Sequence, residues 1–258
     1  MRADRNFDNL AQRFQARIYD GFKGQWRLHL LKQDLAEIAQ GSPETVLDVG
    51  CGAGYMALWL AEHGHQLTLS DISKRQLKAA RSVFKDAGQT ADFMQMPVQA
   101  WPGRMAGFKL VMVHALLEWL AEPETVLTEL LAGLKPGAWL SLLFYNRNAM
   151  VFCNALRGGW RLKPLLTDRY LGVGHRLTPP NPLFPHCVEQ LLIDQGLVVH
   201  RYTGIRVFHD YLSAKVRAET DCDELQSLEQ HYCRQPDFRG MGRYVHLLAQ
   251  KPVVFASV

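Results

Sequence analysis

The chain has 258 residues, 48% of them hydrophobic, and a formal net charge of +4. That length suits one α/β domain with appendages, and the apolar fraction suits a sizeable core. No apolar run approaches the ~18 residues of a membrane span, and Met1-Arg2-Ala3-Asp4-Arg5 lacks the apolar segment of a signal peptide. Five scattered cysteines with no C-x-x-C pair argue against a disulfide framework and against a zinc site. The expectation is a cytoplasmic protein with free thiols, no membrane contact and no metal.

Residues 26–40 repeat apolar side chains at helical spacing and predict a helix, part of an N-terminal helical cap over 1–40. Residues 45–49 form an apolar strand carrying Asp48, and Gly50-Cys51-Gly52-Ala53-Gly54 follow it. A helix over 55–63 and a second strand over 66–70, ending in Asp71, complete a β-loop-α-β unit suited to a nucleoside. The glycines let the backbone turn tightly and approach a ligand. An acid at the end of the second strand sits where a ribose diol is gripped. A dinucleotide loop reads G-x-G-x-x-G and rests pyrophosphate on a helix N-terminus. This loop reads G-x-G-x-G, and Asp48, two residues ahead of it, suits a cationic ligand better. Cys51 reads as a small residue presenting its backbone amide rather than as a nucleophile.

Residues 76–87 read as the next helix, with Ser73 as its N-cap. Strands follow at 92–96 and 109–114, the latter apolar enough to be buried on both faces. A helix at 123–134, a turn at 134–138 and a fifth strand at 139–145 come next. After Tyr145 the regular pattern stops. Residues 148–185 are rich in Gly, Pro and aromatics and predict an irregular insertion or lid. A helix at 186–195, a long sixth strand at 198–209 bent at Gly204, and a helix at 221–233 lead to a closing strand at 243–250, expected antiparallel. Between 147 and 176 stand Arg147, Arg157, Arg161, Lys163, Arg169 and Arg176 against Asp168 alone, a local charge of +5. Such a segment is either a seat for a phosphate-rich partner or a solvated loop.

The glycine loop with Asp48 and Asp71 resembles motif I of class I S-adenosylmethionine-dependent methyltransferases, and the Leu134-Lys135-Pro136-Gly137 turn extends the resemblance. It implies a Rossmann-like α/β fold: a seven-stranded, mostly parallel sheet with the last strand antiparallel and helices on both faces, in one domain over 1–258. The stretch after the fourth strand, His114-Ala115-Leu116-Leu117-Glu118-Trp119, lacks the N/D-P-P-Y/F tetrad of amino methylation, and the chain has no Pro-Cys for pyrimidine-carbon attack. An oxygen acceptor, or a nucleophile needing little activation, remains.

Arg5-Asn6-Phe7-Asp8, Lys23-Gly24-Gln25-Trp26-Arg27, His114 to Trp119, Phe144-Tyr145-Asn146, Gly204-Ile205-Arg206-Val207-Phe208-His209-Asp210-Tyr211, Tyr232-Cys233-Arg234-Gln235 and Gly242-Arg243-Tyr244-Val245-His246, in this order, closely resemble the bacterial tRNA 5-carboxymethoxyuridine methyltransferase family. The resemblance implies methyl transfer from S-adenosylmethionine to the carboxylate of 5-carboxymethoxyuridine at tRNA wobble position 34, giving the methyl ester. It places Arg27 on the methionyl carboxylate, Gly50, Cys51 and Gly52 beside the ligand with Asp48, and Asp71 on the ribose. Val98 or Gln99 should lie by the adenine, and His114 near the reactive centre. Tyr145, Arg206, His209 and Arg243 are candidates for holding the modified uridine, and Arg157, Arg161 and Lys163 for tRNA phosphates. No catalytic base is expected, because a carboxylic acid is already ionised at neutral pH. Two departures stand out: Cys51 and Ala53 where relatives commonly carry glycine and acid, and a much less basic stretch before Thr178-Pro179. A small-molecule carboxyl or hydroxyl methyltransferase, and a non-catalytic cofactor-binding protein of tRNA modification, are the rival readings.

Overall fold

A computed structural model of the chain describes residues 21–167 and 179–253. Strands β1 (Thr45–Val49), β2 (Gln66–Asp71), β3 (Asp92–Gln95), β4 (Leu110–His114), β5 (Trp139–Tyr145), β6 (Val198–Ile205) and β7 (Tyr244–Gln250) form one sheet. Its order is β3-β2-β1-β4-β5-β7-β6. The pairs from β3 through to β5 are parallel, and β7 runs antiparallel to both its neighbours. The expected fold class and the antiparallel last strand are both present.

Alternate residues of the central strands feed two separate cores. Leu47, Val49, Val111, Val113, Leu140 and Leu142 face one side, and Val46, Leu110, Met112 and Leu143 the other. Both faces are therefore buried, as the near-continuous apolar runs require. Helix α1 (Phe22–Asp34), a short α2 (Ala36–Ala39), α3 (Tyr55–Glu62) and α4 (Lys74–Asp86) lie in chain order around the first two strands. Trp26, Leu30 and Leu31 of α1 join Met56 and Leu60 of α3 and Leu77 and Phe84 of α4 in one core. Helix α5 (Pro123–Gly133) packs Val126, Leu127, Leu130 and Leu131 into the other. Ser73 caps α4 by accepting from the Gln76 amide, as expected.

Two expectations are corrected. The chain does not turn irregular after Tyr145. Helix α6 (Arg147–Arg157) follows at once, then a 3-10 turn at Gly159–Arg161 and a short α7 (Leu162–Leu166). Asn146 starts α6 by accepting from the Asn148 amide, and Ala149, Met150, Cys153 and Asn154 give it a buried face. Of the expected lid, residues 168–178, with Arg169 and Arg176, lie outside the described residues, as do Arg5 to Asp8. The sixth strand does not reach 209. It ends at Ile205, because Arg206 takes a left-handed backbone (φ 62°) that breaks the ladder. Helix α8 (Pro185–Asp194) precedes β6. Helices α9 (Ala214–Glu219), α10 (Cys222–Tyr232) and α11 (Pro236–Arg239) fill the connection to β7.

Candidate functional site

A cavity opens at the C-terminal ends of β1, β2 and β4, where open α/β sheets take ligands. All nine residues expected around a cofactor line it. Arg27 enters from α1. Asp48, Gly50, Cys51 and Gly52 come from the end of β1 and the loop after it. Asp71 closes β2, Val98 and Gln99 follow β3, and His114 ends β4.

The loop's geometry leaves space. Gly52 has φ +55°, and a Cβ added there would meet nothing within 4 Å, so its bare backbone borders open cavity. Gly50, at φ +71°, is different: a Cβ there would lie 2.9 Å from the Leu116 side chain. The Gly52 amide donates to one Asp71 oxygen (3.1 Å) and the Ser73 amide to the other (2.8 Å), which aims the carboxylate. Asp48 is buried, and that burial, with Asp71 nearby, pushes its carboxyl up to about 7. Burial, helped by Asp48 and Asp71, also drives the Cys51 thiol well above its ordinary range, so no thiolate nucleophile forms there. His114 is pushed well below the ordinary histidine value, chiefly by burial, and is neutral. Glu118, wholly buried in the turn after β4, rises by burial to about 7.

A second cavity lies beside the first. Tyr145, Arg157, Arg206 and Arg243 line it, with Lys23 and Arg217, so five basic side chains face one carboxylate, Asp210. Asp210 accepts from Lys23 Nζ (2.8 Å) and Arg206 Nε (2.9 Å), and lies 4.0 Å from Arg243 Nε. Burial alone would raise its carboxyl; Arg206, His209 and Lys23 outweigh that and hold it well below the usual carboxylate range. Arg243 stacks its guanidinium over the Tyr145 ring at 4.8 Å. The turn carrying Arg206 and Asp210 is pinned from beneath by buried Glu229, which accepts from the Val207, Phe208 and His209 amides at 2.7–3.0 Å.

The remaining candidates fall elsewhere. His209 lines neither cavity. It is buried, stacks on Phe22 at 5.0 Å and holds Asp210 through Nδ1 at 3.0 Å. Arg161 stacks over the half-exposed Trp160 at 4.8 Å, and Lys163 is exposed on α7, both outside the cavity linings. Sequence reasoning missed Ala115, Leu116 and Trp119, which follow β4 and line the first cavity; the rule that ligands sit past the carboxyl ends of strands points to them. Ala115 holds φ 53°, a left-handed backbone at a non-glycine residue. Tyr244 was also missed. It is the residue common to both linings, with Arg27 over its ring at 5.7 Å and Arg206 at 5.5 Å.

Residues 46–137 match the family model of a methyltransferase domain. Among solved structures, magnesium protoporphyrin IX methyltransferase from Synechocystis PCC 6803, crystallised with bound SAM, superposes with a TM-score of 0.60 at 16% identity, covering 95% of this chain and 93% of that one. The plantazolicin methyltransferase BpumL, in complex with SAH, gives 0.59 at 17% identity over 96% and 92%. These likenesses establish the fold. The tRNA 5-carboxymethoxyuridine methyltransferase of Escherichia coli (strain K12) is 37% identical over 262 residues, spanning 96% of this chain and 97% of that one. With the match running nearly end to end, the chain belongs to the tRNA 5-carboxymethoxyuridine methyltransferase family.

Proposed function

We propose that the chain methylates the carboxylate of 5-carboxymethoxyuridine at tRNA wobble position 34, using S-adenosylmethionine, and yields the methyl ester. The observation that carries this reading is the pairing of two unlike cavities across one ring, Tyr244: one with a glycine loop and two carboxylates, the other with five basic side chains.

The first cavity fits the cofactor. The bare backbone of Gly52 leaves room for the ligand, Asp71 is aimed by two amides toward a ribose diol, and Asp48 offers negative charge to a cationic amino acid end. Arg27 takes the methionyl carboxylate, Gly50 and Cys51 present their backbone, Val98 and Gln99 flank the adenine, and His114 stands near the reactive centre. When bound, S-adenosylmethionine supplies an electrophilic methyl group.

The second cavity holds the acceptor. A carboxylate needs no base, so the residues there hold and orient an anion already charged at neutral pH. Arg243 and Arg206 present planar guanidinium groups, which pair well with carboxylate and phosphate oxygens. Asp210 tempers them, since Arg206 and Lys23 are already engaged with it. A moderate grip suits this chemistry: nucleophile and electrophile carry opposite charges that fade toward the transition state, so an overly strong clamp stabilises the ground state more. Holding the reacting atoms in line supplies on the order of 7–11 kcal/mol. Arg157 in the cavity lining, and Arg161 and Lys163 beyond it, receive tRNA phosphates.

The test is to label tRNA bearing 5-carboxymethoxyuridine with methyl-labelled S-adenosylmethionine and treat the product with mild alkali. An ester releases its label; ether, N-methyl and C-methyl products keep it. Label that survives alkali, or transfer to free carboxylic acids in preference to tRNA, overturns the proposal.

A further inference from the structure

A chain of hydrogen bonds runs from the first cavity along one face of the sheet to the end of α1. His114 on β4 places Nε2 at 2.7 Å from Ser141 Oγ on β5. Ser141 Oγ lies 2.9 Å from His246 Nε2 on β7, and His246 Nδ1 lies 2.7 Å from Asp34 Oδ2 at the end of α1. The other Asp34 oxygen accepts from Arg234 at 2.7 Å and 3.1 Å. Ser141 and His246 are wholly buried, and Asp34 nearly so. The three strands are neighbours in the sheet, so the chain crosses it rung by rung.

We infer that Asp34, His246 and Ser141 act as positioning residues that fix His114 as its Nε2–H tautomer, leaving a bare Nδ1 lone pair turned to the cofactor cavity. The direction of the protons follows from the fixed end. Asp34 is a carboxylate held ionised, since the His246 contact and the Arg234 guanidinium outweigh its burial. It only accepts, so His246 must donate from Nδ1. Arg234 already balances the Asp34 charge, and a second cation deep in the core, with His114 and Arg27 near, would stand uncompensated. A neutral His246 ring that donates from Nδ1 has only an acceptor left at Nε2, and that acceptor takes the Ser141 hydroxyl. The Ser141 oxygen accepts in turn from His114 Nε2–H. Among the described residues His114 forms no second hydrogen bond, and it lines the cavity.

The inference rests on the cofactor reading only for its purpose: an imidazole lone pair in that cavity accepts from an N–H or O–H of the ligand's amino acid or ribose end. A donor there would repel the ammonium. The network thus makes the cavity wall selective for a donor, from a carboxylate at the C-terminal end of α1, three strands across the same sheet face.

The experiment separates the two readings. Long-range 1H–15N spectra of the ligand-free protein, labelled at histidine, report which ring nitrogen carries the proton. The expected result is His114 and His246 both neutral, with His114 protonated on Nε2 and His246 on Nδ1. In Asp34→Asn the amide donates to His246 Nδ1, and both tautomers should invert. In Ser141→Ala, which keeps the carboxylate, His246 should stay as it is while His114 loses its single tautomer. Affinity for S-adenosylhomocysteine, by calorimetry, should fall by roughly tenfold or more in both variants, the loss of one hydrogen bond to a charged group. A wild-type His114 protonated on Nδ1 or on both nitrogens overturns the inference, as does an unchanged tautomer and affinity in Ser141→Ala. Correct tautomers in a protein that binds no S-adenosylhomocysteine uphold the network and sink the cofactor reading instead.

Discussion

If Asp48 faces the cationic end of the ligand as proposed, its burial sets stability against function, and Asp48→Asn measures that opposition. The carboxyl is buried and ionises near 7 in the folded protein, against an ordinary value of 3.8. A group whose folded value is raised holds its proton longer when folded, so stability is lost as pH rises between the two values. At about 1.4 kcal/mol per pH unit, the ionised residue costs the folded state about 4 kcal/mol above pH 7. Asparagine keeps the shape and cannot ionise. Urea unfolding of both proteins at pH 5 and pH 8 isolates the effect, since Glu118, which titrates in the same range, contributes equally to each. The variant's advantage should grow by about 3 kcal/mol between those pH values. Its affinity for S-adenosylmethionine at pH 8 should fall at least tenfold, because a charge-assisted contact is lost. In the wild type, affinity should also weaken as pH drops below 7, about tenfold per unit, as Asp48 protonates. A stability difference that stays flat from pH 5 to pH 8 refutes the ionisation argument. Unchanged affinity refutes the role of Asp48 toward the ligand.

Glu229→Gln keeps the volume but turns an amide group toward backbone donors that need acceptors; urea unfolding should show a loss of about 1–3 kcal/mol. Turnover on tRNA should drop roughly tenfold or more as the Arg206–Asp210 turn loosens, with cofactor affinity intact; unchanged turnover separates the turn from the chemistry. Replacing Arg157, Arg161 and Lys163 together with Ala should weaken tRNA binding and flatten the slope of log affinity against log salt by about 2, at roughly 0.7 per single-stranded phosphate contact. A triple variant whose salt titration overlays the wild type moves the tRNA seat elsewhere.

The lining of the first cavity was legible because its signals are local. Glycine spacing, Asp48 and Asp71 sit within two dozen residues, and β-loop-α-β geometry alone brings them together. The second cavity depends on distant segments converging. Tyr244 follows ordinary strand alternation, and no local pattern says that Arg27 and Arg206 will close over its ring. His209 reads as a site residue, yet the left-handed turn at Arg206 rotates the segment and buries the ring on Phe22. Helix α6 was hidden by the glycines and prolines after it. Its own signals, an Asn146 cap and buried positions at 149, 150 and 153, were present but short.

Strand order bears on how the protein is made. β7 lies between β5 and β6, so the sheet does not close in the order of synthesis. When β5 leaves the ribosome, the backbone groups of its outer edge have no partner, and Leu140, Leu142 and Phe144 on its adjoining face, all fully buried later, lack the β7 side chains beside them. β6 arrives next but pairs with β7 alone, about a hundred residues after β5. At 5–20 residues per second the bare edge persists for roughly 5–20 s. An unpaired apolar edge invites pairing with other chains. The nascent protein is therefore most exposed to aggregation and most in need of chaperones during that interval, and a chain cut anywhere before Tyr244 lacks both the covering strand and the ring where the two cavities meet.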